Sequence, residues 1–151
     1  MDLLKDKYII VEIIPTSLNK ENGQIVELTA LKLDGLKLID RFNYRLKKDN
    51  VVLKDFLDMC NYDDEEFIYL EETSDILSKF KEWSEDLPLV IIDNTYTLNY
   101  LSDFTNNKEL IFPYLDLEFS ERVMQEMIDK YKLEPSNYMV DLVYEAIIRH
   151  F

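Results

Sequence analysis

The chain has 151 residues, a length that suits one domain with a sizeable buried core, so residues 1–151 are read as a single unit. Hydrophobic residues make up 47% and aromatics 13%, with 2 Gly and 4 Pro, which excludes a disordered or collagen-like chain. Asp and Glu number 31 against 17 Lys and Arg, a formal net charge of -14 that argues against a general nucleic-acid coat protein, because such a surface repels phosphate backbones at long range.

Tyr8-Ile9-Ile10-Val11-Glu12-Ile13-Ile14 is a β-branched apolar run and predicts a buried strand. Pro15 ends it, since proline has no N–H to give a ladder. Asn19-Lys20-Glu21-Asn22-Gly23 is turn chemistry, and a second strand follows over 24–33. Asp34-Gly35 predicts a hairpin that sends 36–46 back as a third strand, so the chain opens as an antiparallel meander. Residues 47–72 read as irregular and acidic, with Asp63-Asp64-Glu65-Glu66 at the centre and Leu53, Phe56 and Leu57 at the spacing of a short helix.

Thr73 or Ser74 caps a helix over 75–84 whose Ile76, Leu77, Phe80 and Trp83 share one face. Residues 87–92 form a short apolar strand, and 95–104 a helix with Leu98, Tyr100 and Leu101 inward. Another short strand falls within 110–117, followed by a helix over about 120–131 and a last one over 137–151 capped by Ser136. The order β-β-β-α-β-α-β-α-α predicts a mixed α/β layer structure.

One cysteine, Cys60, forbids an internal disulfide and suits a reducing compartment. One Cys and one His (His150) exclude zinc fingers and His-rich metal sites. The longest apolar runs are too short to cross a bilayer, and Met1–Lys7 has no apolar signal region. A cytoplasmic protein with no membrane span is expected.

Several strings, in order and spacing, resemble the DnaQ-like 3′–5′ exonucleases (DEDDh type) of the ribonuclease H-like superfamily. Val11-Glu12-Ile13-Ile14-Pro15-Thr16-Ser17-Leu18 is similar to the first motif, Val-Asp-x-Glu-Thr-Thr-Gly-Leu. Ile25–Lys32 resembles the Ile-Ile-Glu-Ile-Gly-Ala-Val-Lys strand, and 57–62 falls where the family has a Thr-Gly-Ile-Thr loop. Residues 89–101 resemble the second motif, with Tyr96 and Tyr100 at its aromatic positions. Leu115-Asp116-Leu117 resembles the Ile-Asp-Thr strand, and Asp141 followed by Ala146 the third motif. The resemblance spans essentially the whole chain. It implies a ribonuclease H-like mixed sheet, an antiparallel meander extended by parallel strands and flanked by helices.

These exonucleases hold two divalent metal ions with four carboxylates and activate water with a His. Two hard cations about 4 Å apart need oxygen ligands to balance their charge. The first-motif Asp falls on Glu12, one methylene longer, and the first-motif Glu falls on Ile14, which ligates nothing. The second-motif Asp falls on Thr97, while the third-motif Asp is retained as Asp141. The His falls on Ser136, too weak a base near neutral pH. A subgroup uses Tyr at the next position, which is Asn137 here, with Tyr138 one place off. Two carboxylates remain, Glu12 and Asp141, which would bind a metal only weakly, and no base is in register, so no cofactor is expected; Mg or Mn enters only if the chain is an enzyme.

Ile14 reads as core filler, and Thr97 as bonded to local backbone or facing a vacant cleft. His150 reads as a surface residue, Cys60 as a small packed apolar group, and Glu145 as a solvated helix charge. Cys60 also replaces a glycine of the family's loop, where a side chain hinders substrate. Asp63, Asp64, Glu65 and Glu66 read as a solvated loop, or as a docking surface for a basic partner.

The reading that results is a catalytically degenerate exonuclease-like protein acting as a protein-interaction or regulatory module in nucleic-acid metabolism. Its most specific form is an acidic inhibitor of a basic nucleic-acid enzyme. The alternatives are a divergent Mg- or Mn-dependent 3′–5′ exonuclease that recruits Asp93, Asp116 or Glu145, and a non-catalytic nucleic-acid binder. The binder is disfavoured because Glu12, Asp141, Asp63, Asp64 and Asp93, without metals, repel phosphate. The oligomeric state is not legible.

Overall fold

The computed structural model describes residues 2–15, 21, 23–45, 73–91, 96–101, 110–111, 129–130 and 139–150. The first apolar run becomes β1 (Lys7–Pro15), flanked antiparallel by β2 (Ile25–Asp34), which pairs in turn with β3 (Lys37–Arg45). Helix α1 (Thr73–Ser84) leads to β4 (Leu89–Ile91), parallel to β1. Helix α2 (Tyr96–Leu101) leads to β5 (Leu110–Ile111), parallel to β4, and α3 (Met139–His150) closes the described chain. The sheet order is β3-β2-β1-β4-β5, so the predicted meander is extended on its β1 side by parallel strands.

Central placement explains the composition of β1. Ile9, Val11 and Ile13 join Leu28, Ala30 and Phe42 on one face, beneath Ile76, Leu77 and Phe80 of α1 and Tyr100 and Leu101 of α2. Tyr8 and Ile10 join Leu31, Leu33 and Val90 on the other face, against Val140, Val143 and Ile147 of α3. A strand covered on both faces carries apolar residues at successive positions instead of alternating. The predicted inward face of α1 holds, with Trp83 packed at its margin.

Where the predicted ends lie among the described residues, boundaries differ by a residue or two. Pro15 stays in β1 because a register shift between Ile14 and Pro15 removes the need for its missing N–H. Leu87 and Pro88 precede β4, although the Pro88 carbonyl still accepts a bond from Ile9 N–H at 2.9 Å. The predicted short helix near Leu53, the acidic run Asp63–Glu66, Cys60, Asp93, Asp116, Ser136, Asn137 and Tyr138 lie outside the described residues, as does most of the predicted 120–131 helix. Among the described residues no helix is long and apolar enough to cross a membrane.

The hairpin is tight. Asp34 pairs with Lys37, leaving Gly35 and Leu36 as a two-residue loop in which Gly35 has φ 58°. Positive φ at the first loop residue alone is the mark of a type II′ turn. Gly35 N–H donates to Asp6 O at 3.0 Å, and a Cβ there would sit 2.5 Å from Leu4 O. Farther along β3, Leu38 faces Leu33 while Asp40 faces Lys32, so Ile39 is an extra, bulged residue.

Two predictions follow from this packing. Gly35→Ala should cost at least about 1–2 kcal/mol, the left-handed penalty alone, read as a lowered urea midpoint. Tyr8 is fully buried, its hydroxyl has no hydrogen-bond partner among the described residues, and burial followed by the Tyr144 hydroxyl pushes its pKa up to about 12. The unfolded chain ionises this phenol near pH 10, so stability is intact below that and lost as pH rises from about 10 towards 12. Tyr8→Phe should remove that part of the alkaline loss, and at neutral pH should match or exceed the parent's stability by up to about 1 kcal/mol.

Candidate functional site

Sheet parity builds the site. Glu12 and Ile14 leave β1 on the same face as Ile10, the face that α3 covers. Across the ladder Glu12 faces Thr29 and Thr29 faces Asn43; Ile14 faces Glu27 and Glu27 faces Arg45. Leu31 faces Arg41. Directly paired residues share a face. Beyond the apolar cluster, that face therefore turns polar: Glu12, Thr29, Glu27, Arg41, Asn43 and Arg45.

The first turn of α3 meets this row. Val140 N–H donates to Glu12 Oε1 at 3.3 Å. The carboxylate, only 8% exposed, thus satisfies one of the orphan donors at the positive end of the helix. It does for α3 what an N-cap side chain does, from a residue 128 positions earlier. Asp141, on the same turn, is forked by Arg41, with Nη1 to Oδ1 at 2.6 Å and Nη2 to Oδ2 at 3.4 Å. The planar guanidinium matches the two carboxylate oxygens, the strongest geometry such a pair has.

The neighbouring carboxylate is also engaged. Glu27 is 2% exposed, and its Oε1 accepts from Asn43 Nδ2 at 3.1 Å with Arg45 Nε at 4.0 Å. Asn43 Nδ2 also donates to Thr29 Oγ1 at 2.7 Å. Thr97, on α2, is fully buried and its Oγ1 has no partner among the described residues. Glu145 pairs with Arg149 one turn along α3.

Among the sequence-predicted positions, Glu12 and Asp141 come together at the start of α3, and parity places Ile14 on the same face. Ser136 lies outside the described residues. Arg41, Asn43 and Arg45 were missed. Their alternation in one strand signals a shared face, but the bulge at Ile39 decides which face. Of the acids expected to line the rim uncompensated, Asp141 is corrected, because Arg41 of β3 lies against its carboxylate; Glu27, not among them, has Arg45 at 4.0 Å. Among the described residues no three His, Cys, Asp or Glu side chains group to hold a metal ion.

A second feature lies at the β3–α1 edge, an open groove of about 410 Å³ lined by Asp40, Arg41, Phe42, Tyr44, Lys79, Glu82 and Trp83. The Trp83 indole N–H donates to Asp40 Oδ2 at 2.8 Å and, with the Arg41 backbone N–H, holds that carboxyl below its ordinary range. Neither Glu12 nor Asp141 lines this groove.

No protein-family model matches the chain. It is 23% identical over 100 residues to the PolC-type DNA polymerase III of Staphylococcus haemolyticus, covering 66% of this chain and 7% of that one. The chain thus spans about 7% of the length of the curated relatives it matches. In structure it superposes on a 3′-exonuclease that recognises the 3′ end of histone mRNA stem-loops, with TM-score 0.69 and 12% identity over 99% of this chain and 63% of that chain. It also superposes on exonuclease X, solved with 5′ overhanging duplex DNA, with TM-score 0.58 and 10% identity over 95% of this chain and 89% of that one. The chain has a ribonuclease H-like α/β fold. That fold is the one the DnaQ-like exonucleases have, as the sequence resemblance implies.

The Glu12 contact generates a prediction. Glu12→Ala should lower stability by about 1–2 kcal/mol, the usual cost of a lost helix cap. Glu12→Gln, which keeps an acceptor oxygen, should lose less. Amide exchange at Val140 should accelerate in the alanine variant relative to amides late in α3; equal acceleration along the helix would contradict the capping role.

Proposed function

We propose that the chain is a catalytically degenerate DnaQ-fold protein that works as a protein-interaction or regulatory module in cytoplasmic nucleic-acid metabolism. The observation that carries this reading is the Arg41 fork on Asp141. Asp141 stands where the family's third-motif Asp ligates metal, and here both its oxygens face a guanidinium. Glu12, at the first-motif Asp, is tied to the α3 backbone. Ile14 and Thr97 supply no charge at the other two positions. Magnesium dehydrates reluctantly and needs several oxygen ligands or substrate phosphates. These residues do not fit a pair of divalent cations, and no hydrolytic step is assigned to them.

The partner class comes from charge. A net charge of -14 favours a basic protein surface over a phosphate backbone, and a nucleic-acid enzyme with a basic groove has that surface. An inhibitor lying in such a groove is the most specific form of the proposal. The competing reading, a divergent Mg- or Mn-dependent 3′–5′ exonuclease, is favoured by the fold likeness to exonuclease X across nearly its whole chain.

Fluorescent single-stranded DNA and RNA, incubated with the protein and Mg²⁺ or Mn²⁺, separate the two. No cleavage and no gel shift at low salt are expected, together with salt-sensitive recovery of a basic nucleic-acid enzyme on the tagged protein. Cleavage that disappears in Glu12→Ala or Asp141→Ala would establish the enzyme instead.

A further inference from the structure

We infer that Arg41 is the resident cation of this site: at Asp141 its guanidinium takes the electrostatic place of a divalent ion, so α3 seats on the sheet without metal. The inference deepens the proposed function and rests on its reading of Glu12 and Asp141 as a non-catalytic pair.

Three observations lead there. First, the contact is a fork on both carboxylate oxygens, 2.6 and 3.4 Å long, between two partly exposed side chains. Second, each carboxylate of the site faces a donor or a cation: the Val140 N–H at Glu12, Asn43 and Arg45 at Glu27, and Arg41 at Asp141. Glu12 and Glu27 are nearly buried on the face where Asp141 arrives, in a chain of net charge -14. Buried carboxylates are costly unless a positive group or several donors face them. Third, Arg41 reaches this face through the bulge at Ile39. Counted from the Asp34–Lys37 pair without a bulge, Arg41 would face Ala30, on the α1 side; with it, Arg41 faces Leu31, on the α3 side.

The chemistry of the exchange is specific. A guanidinium is charged at all working pH values, so it compensates Asp141 with no free-ion concentration to satisfy. It offers no open coordination position and cannot polarise a phosphoryl oxygen as a Lewis acid does. The position therefore demands a cation, and with the arginine replaced by an acid a hard divalent ion with oxygen ligands should meet that demand.

Thermal unfolding tests this in the full chain, with EDTA, MnCl₂, or NaCl at equal ionic strength. The wild-type midpoint should be the same in all three. Arg41→Glu should lower the midpoint by at least about 2 °C, and MnCl₂ alone should restore more than half of the loss. Arg149→Glu, which sets a like charge against Glu145 on the same helix, should show no Mn²⁺-specific recovery. Should Arg41→Glu fail to fold, Arg41→Met should fall below the double variant Arg41→Met/Asp141→Asn, in which neither charge remains.

A wild-type midpoint raised by MnCl₂, an Arg41→Glu variant indifferent to it, or an Arg41→Met no less stable than the double variant would each overturn the inference. If the wild type is inert towards nucleic acid and any of these results appears, only the resident-cation role fails. Metal-dependent cleavage by the wild type removes the proposed function itself.

Discussion

The seating of one helix end on a row of charged strand residues organises this protein. The first turn of α3 brings unsatisfied backbone N–H groups and an aspartate to the sheet. The sheet answers with opposite charges: the Glu12 carboxylate against the N–H of Val140, and the Arg41 guanidinium against Asp141. Each interaction is only moderately strong, and the Arg41 pair is partly exposed, so solvent screens it. Their value lies in geometry. Together they pin the helix start over β1 and β3, while Val140, Val143 and Ile147 bury the rest of its inner stripe.

The same contacts bear on function. In this fold Glu12 and the start of the helix bearing Asp141 meet because β1 is central and α3 packs on one of its two covered faces. That convergence depends on packing, and packing survives changes in what converges. At this junction the side chains form a helix-end contact and an ion pair. Fold alone does not carry activity, and at this junction charge compensation within the chain helps seat the helix on the sheet.

The opposite face is held by different means. Phe42, Phe80 and Trp83 contact one another with ring centroids 5.3 to 6.1 Å apart, and Lys32 lies over Trp83 at 4.6 Å while donating to its carbonyl. Glu85, at φ 53°, ends α1 in the left-handed conformation usual after a helix terminus and also pairs with Lys32. This clasp fixes α1 to β2 and β3 without engaging Glu12 or Asp141. The α1 face of the meander thus combines aromatic packing with the Lys32–Glu85 pair, whereas the α3 face carries the Arg41–Asp141 and Arg45–Glu27 pairs.

By itself the sequence determined the elements that local patterning controls: the double-sided apolar run of β1, the Asp34-Gly35 reversal, the amphipathic stripe of α1, and the third-motif helix bearing Asp141. Those depend on periodicity and on backbone preferences of single residues, which are written locally. Only the tertiary structure decided what Glu12 and Asp141 touch. One residue of bulge, Ile39, moves every later side chain of β3 to the other face, and no local signal marked it. Arg41 thereby meets an acid 100 residues away; electrostatic partners separated so far along the chain become defined only once strand register and helix docking exist.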